Sequence, residues 1–418
     1  MKRKYYVFFI LLLFSMINAQ EKKILTLEEC HRNAEQQYPL IKKRDLIAKS
    51  LEYSVNTISK GYLPQLNALG QLTWQSDVTK FPISGPGVNA PEISQTQYKV
   101  YAEMTQLVYD GGVIKQKKIN EEANAKIATQ SLEVELYKLR DRVNNLFLGI
   151  IMIDEQLKTN QLYRDDINIG LKSVETQIKN GTSFRSNADL LKAELLKVDQ
   201  NSNALKSNRK SYLNMLGLFI GKELDEKTIL EKPQTPSQEK SIKRPELSLF
   251  DFKNERLDLN KKMINTKDMP KLSLFVQSGI SNPGLNMFEE GTQNFFYGGA
   301  RLTWSLSYTK KKEKEIIDLQ KLENEADRET FLFNTNLELQ QQNSEITKLQ
   351  ENLAIDDEIV KLRNNVKKAA LAQLENGVIT SSNYLREVNE ENMAIQNKNV
   401  HAIELLLVQY KEKTTRGN

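Results

Sequence analysis

Apolar residues recur along most of this chain at alternating steps of four and three, and in four short stretches at steps of two. Leu132, Leu136, Leu139, Val143, Leu146, Ile150, Ile153 and Leu157 form one seam, and no proline interrupts the chain from Ile114 to about Ile178. This spacing predicts an uninterrupted amphipathic helix of heptad type, ~65 residues and roughly 100 Å long at 1.5 Å per residue. After Asn180-Gly181 the pattern resumes through Leu191, Leu195, Val198, Leu205, Tyr212, Leu216 and Phe219. A looser copy runs through Ile346, Leu349 and Leu353 to Asn376-Gly377, then through Leu385, Val388, Ile395, Ala402 and Leu406. Shorter helices open each half, one on Leu27, Cys30, Ala34, Tyr38 and Ile41, the other on Leu247, Phe250, Leu257 and Ile264. Asn-Gly is a helix stop, because glycine takes the left-handed conformation at little cost. Ser186-Asn187 and Ser382-Asn383, at the same offset past each glycine, are the expected caps of the returning helices.

The period-two stretches lie between each opening helix and each long one. Leu66, Ala68, Gly70, Leu72 and Trp74 form the first, and Tyr98, Val100, Ala102, Met104 and Val108 the second. Leu272, Leu274, Val276 and Ile280 form the third, and Phe296, Gly298, Ala300, Leu302, Trp304 and Leu306 the fourth. The odd positions between them are mostly polar. Each stretch is about 10 residues, the length of a transmembrane strand. The alternation predicts that Leu72, Trp74, Val100, Met104, Leu274, Val276, Leu302 and Trp304 face lipid. The joining loops, about 76–95 with Pro82, Pro86 and Pro91 and about 281–293, read as surface loops.

The chain says the same thing twice. Gly61-Tyr62-Leu63-Pro64-Gln65-Leu66 returns as Lys267-Asp268-Met269-Pro270-Lys271-Leu272, 206 positions later, and Asn180-Gly181 returns as Asn376-Gly377, 196 positions later. Such a repeat implies two copies of one structural unit packed around a pseudo-symmetry. The expected organisation is a first repeat over 20–221, with a strand hairpin at 65–109 and a helical hairpin at 113–221. A linker over 222–243 follows, then a second repeat over 244–418, with a strand hairpin at 271–307 and a helical hairpin at 310–410.

Composition narrows the function. Lys2, Arg3 and Lys4, the apolar run Tyr5 to Phe14 and the small residues before Ala19 have the layout of a signal peptide over 1–19. Its removal takes the formal net charge from +5 to +2, which is no argument for nucleic acid. Cys30 is the only cysteine, so no intrachain disulfide can form. His31 and His401 are the only histidines, and no phosphate loop or HExxH spacing occurs. The expectation is no enzyme, with no catalytic residue, cofactor or metal site. Four strands cannot close a barrel, and a bilayer tolerates no open sheet edge. Two copies would give eight strands and a filled interior, whereas three would give twelve strands and an open lumen.

Taken in order, these motifs resemble the outer-membrane efflux protein family, the TolC-like channels. The resemblance runs from Leu25 to about Tyr410. It rests on Leu25-Thr26-Leu27-Glu28-Glu29 opening the first helix with Pro39 inside it, and on Leu63-Pro64-Gln65-Leu66. It continues through Leu107-Val108-Tyr109-Asp110-Gly111-Gly112, Asn180-Gly181 with Leu190, Leu191 and Ala193, Leu216-Gly217, and Arg244-Pro245-Glu246-Leu247. The resemblance implies an α+β homotrimer with a twelve-stranded outer-membrane β-barrel on a long periplasmic tunnel of antiparallel helices. The linker and the C-terminal end would form a belt around it. It further implies a passive exit duct for efflux or type I secretion, coupled through a periplasmic adaptor to an inner-membrane transporter of RND, ABC or MFS type. Docking then falls to the tips: Asn180, Gly181, Thr182, Phe184, Ser186 and Asn187, with Asn376, Gly377, Val378, Ile379, Ser382 and Asn383. Two features depart from the family. The second strand-to-helix switch, Ser305-Leu306-Ser307-Tyr308-Thr309-Lys310, lacks a glycine pair, and Asn187 and Asn383 stand where members often carry an acid. A periplasmic coiled-coil adaptor or scaffold without a barrel is the alternative reading.

Overall fold

The computed structural model describes residues 24–80, 93–237, 239–287 and 289–418. The expected signal peptide and Pro82, Pro86 and Pro91 of the first loop lie outside the described residues. The first half contains β1 (Ile24–Leu25), α1 (Leu27–Gln37), α2 (Lys42–Ser59), β2 (Gln65–Trp74), β3 (Thr96–Tyr109), α3 (Val113–Tyr137), α4 (Leu139–Lys179) and α5 (Arg185–Ile220). After β4 (Ile229–Leu230) the order of helix, two strands and two long helices recurs. The second half has α6 (Pro245–Thr266), β5 (Lys271–Asn282), β6 (Gln293–Thr303), α7 (Lys310–Glu375) and α8 (Ser381–Arg416). The fold is thus long antiparallel helices plus a small antiparallel sheet, in two repeats.

Two expectations about the helices need correction. The opening helix is broken at Pro39. Tyr38 is held extended (φ −63°, ψ 132°), as the residue before a proline prefers, and a 3-10 turn (Pro39–Ile41) leads into α2. The first long helix is interrupted at Lys138, whereas α7 runs unbroken for 66 residues, about 100 Å. Lys138 keeps right-handed dihedrals (φ −63°, ψ −18°), and neither proline nor glycine causes the interruption.

The chain divides into two compact units. One comprises the chain up to Lys42, Leu132–Pro245 and Thr330–Asn418, and is helical apart from β1 and β4. In it α4 packs along both α5 and α8. Having neighbours on two sides, α4 buries Phe147, Leu148 and Ile151 as well as Val143 and Ile150 of the seam. Those side chains join Leu27, Cys30 and Ala34 of α1, Leu213, Leu216 and Ile220 of α5, and Ile403, Leu406 and Tyr410 of α8 in one cluster. Burial, then the charge of Glu29, pushes the Cys30 thiol up to about 12, so it packs as a small protonated hydrophobe. His31 hydrogen-bonds Asn144 Oδ1 through Nε2 at 2.7 Å, and burial lowers its pKa. Asn144 in turn donates to Thr414 Oγ1 at 3.3 Å. The linker is tied down by short contacts: β4 pairs in parallel with β1, Tyr410 donates to the Gln234 carbonyl, and the Lys243 N–H donates to the Arg416 carbonyl.

A second cluster of the same unit joins Tyr163, Ile167 and Val174 of α4, Leu191 and Val198 of α5, Leu374 of α7, and Tyr384 and Val388 of α8. Tyr384 lies against Gly170, where an added Cβ would come within 2.3 Å of the ring, so only glycine admits the tyrosine. Its hydroxyl donates to the Asp166 carbonyl at 2.8 Å. Beside it Lys367 Nζ donates to Asp166 Oδ2 at 2.8 Å and to Glu391 Oε2 at 2.9 Å. Burial alone would lower the Lys367 pKa, but the two carboxylates outweigh it and hold the ammonium above its ordinary value.

The other unit, Lys43–Ser131 with Glu246–Glu329, contains one four-stranded antiparallel sheet in the order β2-β3-β5-β6. Its strand-to-helix switches differ. Gly111 and Gly112 take positive φ (72° and 86°), and Asp110 accepts the N–H groups of Gly112 (2.8 Å) and Ile114 (2.5 Å) at the start of α3. At the second switch no glycine is present. Asp268, upstream of β5, instead accepts from the Ser307 N–H at 3.2 Å and from Lys310 Nζ at 3.0 Å.

The ion triad gives a test of the second helical cluster. The Lys367→Met variant leaves two largely buried carboxylates unpaired and should cost about 3–5 kcal/mol, read as a lowered midpoint of thermal or denaturant unfolding. Adding Glu391→Leu to it should recover part of the loss.

Candidate functional site

Two regions combine exposure with chemistry that packing does not consume. The first is the pair of helical tips. Each ends its helix in a Schellman motif: the Thr182 N–H reaches the Gln177 carbonyl (2.8 Å) and the Gly181 N–H that of Ile178 (3.1 Å). The second tip repeats this, with Val378 on Gln373 (2.8 Å) and Gly377 on Leu374 (3.0 Å). Gly181 and Gly377 take φ of 75° and 70°, and open space surrounds a Cβ at either. The left-handed backbone, and not crowding, is what requires glycine there.

The expected caps are displaced. α5 begins at Arg185 with Phe184 as its N-cap and no side-chain cap bond, and α8 begins at Ser381 with Thr380, whose Oγ1 accepts from the Asn383 N–H at 3.3 Å. Ser186 and Ser382 are therefore already inside the helices and exposed; Asn187 donates to Ser183 Oγ at 3.0 Å. Each returning helix starts four residues past its glycine, earlier than the serine-asparagine pairs suggest. Asn180, Thr182, Phe184, Asn376 and Val378 are exposed, Phe184 and Val378 at 80% and 70%. Ile379 differs from expectation: it is half-buried against the second helical cluster, and Val378 is the outward apolar residue of that tip. An open groove of about 770 Å³ runs between the tips, lined by Ile169, Lys172, Thr176, Gln177, Glu375 and Asn376 among others. Across it Gln177 Nε2 donates to the Leu374 carbonyl.

The second region is the sheet. All three ladders pair even residues with even and odd with odd, as in Leu72↔Tyr98, Met104↔Val276 and Leu274↔Ala300. Every even-numbered strand residue therefore lies on one face until the register shift between Leu107 and Tyr109. That bulge places Tyr109, not the expected Val108, opposite Leu272. Leu72, Trp74, Val100, Met104, Leu274, Val276 and Leu302 share this face and are exposed, from 40% at Val276 to 73% at Leu72. Trp304 and Leu306 lie beyond β6, which ends at Thr303; the Trp304 indole N–H is anchored on the Asp268 carbonyl at 3.0 Å. A contiguous apolar face of four strands exceeds what a monomer normally exposes to water.

The odd face is polar and internally bonded. Lys99 Nζ donates to Gln277 Oε1 at 3.1 Å and lies 4.3 Å from the Tyr101 ring centre, 4.7 Å from that of Phe295 and 5.2 Å from that of Tyr297. The Gln277 amide donates to Glu103, which also accepts from Arg301 at 3.3 Å. The periodicity placed these residues on the polar face but gave no sign of their mutual contacts. Among the described residues no group of His, Cys, Asp and Glu could hold a metal ion, and no helix is long and apolar enough to cross a membrane. His401 is engaged by a carboxylate, its Nδ1 lying 2.6 Å from Asp356 Oδ2.

No protein-family model matches the chain, and no curated protein matches it in sequence. Solved structures do match. The outer membrane protein VceC of Vibrio cholerae superposes with a TM-score of 0.64 at 12% identity, over 94% of this chain and 96% of its own. The CmeC outer membrane channel of Campylobacter jejuni gives 0.61 at 12% identity, over 94% and 86%. CusC, solved in a study of folding and transmembrane channel formation, gives 0.65 at 12% identity, over 94% and 92%. What this chain shares with those outer-membrane proteins, over nearly its whole length, is their fold: the fold of the TolC-like channels.

Proposed function

We propose that this chain is the outer-membrane duct of a tripartite export system. Three copies close a twelve-stranded barrel, and the helical tips meet a periplasmic adaptor that links the duct to an inner-membrane transporter of RND, ABC or MFS type. The observation that carries the reading is the sheet. Its even face is exposed, apolar and free of charge, and β2 and β6 form its two edges. In water such a face and such edges are liabilities. In a bilayer the face is an asset, and the edges are satisfied when β2 of one copy pairs with β6 of the next. Strands of 10 to 14 residues suit a tilted crossing. A periplasmic adaptor or scaffold would leave this face without a use, so the duct is the better reading. The transported substance, whether small molecule or secreted protein, is set by the transporter in this scheme.

Leu72→Arg and Leu302→Arg should each cost roughly 2–4 kcal/mol near the midplane and lower the yield of membrane-inserted trimer, measured by cross-linking in isolated outer membranes. Gln71→Arg and Thr303→Arg, on the opposite face, should leave that yield unchanged. Equal loss on both faces, or a stable inserted monomer, would overturn the barrel.

Phe184→Glu with Val378→Glu should leave trimer yield and insertion intact while abolishing export and adaptor cross-linking. Export that survives both changes would make the tips mere turns.

A further inference from the structure

Every charged residue of the four strands sits at an odd-numbered position: Lys99, Glu103, Lys271 and Arg301. Three cations face one carboxylate, so the odd face carries a formal excess of positive charge. The carboxylate is already engaged by Arg301 (3.3 Å), the Gln277 amide and the Thr105 hydroxyl (3.3 Å). Lys99 is held in another way. The rings of Tyr101 and Phe295, the Tyr297 hydroxyl oxygen (3.5 Å) and the Gln277 carbonyl oxygen fix its ammonium, and among the described residues no carboxylate pairs with it. Ring quadrupoles hold a cation without cancelling its charge. The result is a positive charge pinned at one height on the sheet, where an unrestrained lysine would sway.

We infer that the odd face is an anion-preferring filter of the duct, with Lys99 as its fixed cation, and that the solutes it favours are anionic. This rests on the barrel reading above. Twelve strands about 4.8 Å apart, tilted by about 40°, close a barrel of about 12 Å radius to the backbone. Side chains narrow that further, and the Debye length is about 10 Å at 0.1 M salt. A ring of three Lys99 ammonium groups is therefore felt across the whole lumen. Rings of Arg or Lys select anions in pores of this kind. The carboxylates of Glu289 and Glu290 belong to the exposed loop between β5 and β6, where water screens them more strongly.

The test is the reversal potential of the full-length protein in a planar lipid bilayer under a tenfold potassium chloride gradient. The wild-type channel should prefer chloride to potassium. Lys99→Gln should move the reversal potential toward the potassium side, Lys99→Arg should hold it, and Glu103→Gln should move it further toward the chloride side. Opposite signs for the two glutamine variants are the signature of charge, since damage to packing would not reverse direction. Conducting channels that prefer potassium, or that respond to neither variant, overturn the filter and leave the barrel standing. A chain that gives no membrane-inserted trimer, or inserts as a stable monomer, overturns the barrel itself, and the filter with it.

Discussion

A strand has two faces and a period of two, so a sheet can separate oil from charge only if all its strands agree on which residues face which way. Here the agreement is carried by three ladders that keep a single parity from β2 to β6. A slip of one residue between β3 and β5, or between β5 and β6, would bring Lys99, Glu103 or Arg301 onto the apolar side. The bonds among the odd residues oppose such a slip. Gln277 on β5 joins Lys99 and Glu103 on β3, and Arg301 on β6 joins Glu103 across β5. The polar face thus locks the register on which the apolar face depends.

The helical unit solves a different problem, that of filling long seams with side chains that must meet more than one neighbour. Where α4 lies between α5 and α8, a two-position seam is too narrow, and Phe147, Leu148 and Ile151 widen it. Small residues then set the closest approaches. Gly170 exists to receive the ring of Tyr384, and Gly149 does the same for Tyr212, whose ring would stand 2.6 Å from a Cβ.

Much of this was legible in the residues. Alternation found all four strands, because a half-exposed strand cannot hide its period, and Asn-Gly marked both tips, because only glycine sits easily at φ near 70°. What failed was local. Sequence carries no sign of the break at Lys138, whose dihedrals remain helical. Serine-asparagine chemistry points to later caps, yet Phe184, with no side-chain cap, and Thr380 stand at the starts of the returning helices. Buried polar residues carry no mark in the sequence either: Asn160 donates to the Val198 carbonyl (3.0 Å) and Ser202 (2.6 Å), partners known only once α5 has folded back. Ile379 looked free for the same reason, since the cluster that half-covers it is tertiary.

The unequal switches bear on the order in which the two halves can assemble. Asp110 lies two and four residues from the N–H groups it accepts, so the first turn closes from its own short segment. Asp268 lies 39 and 42 residues from its partners, with both β5 and β6 in between. A loop of that length pays its closure entropy before the contact returns anything. The first half therefore owns a local starting point for its strand-to-helix turn, while the second acquires its turn only after its hairpin has brought the ends together. Two copies of one plan, alike when folded, are in this way unlike in how they come to be folded.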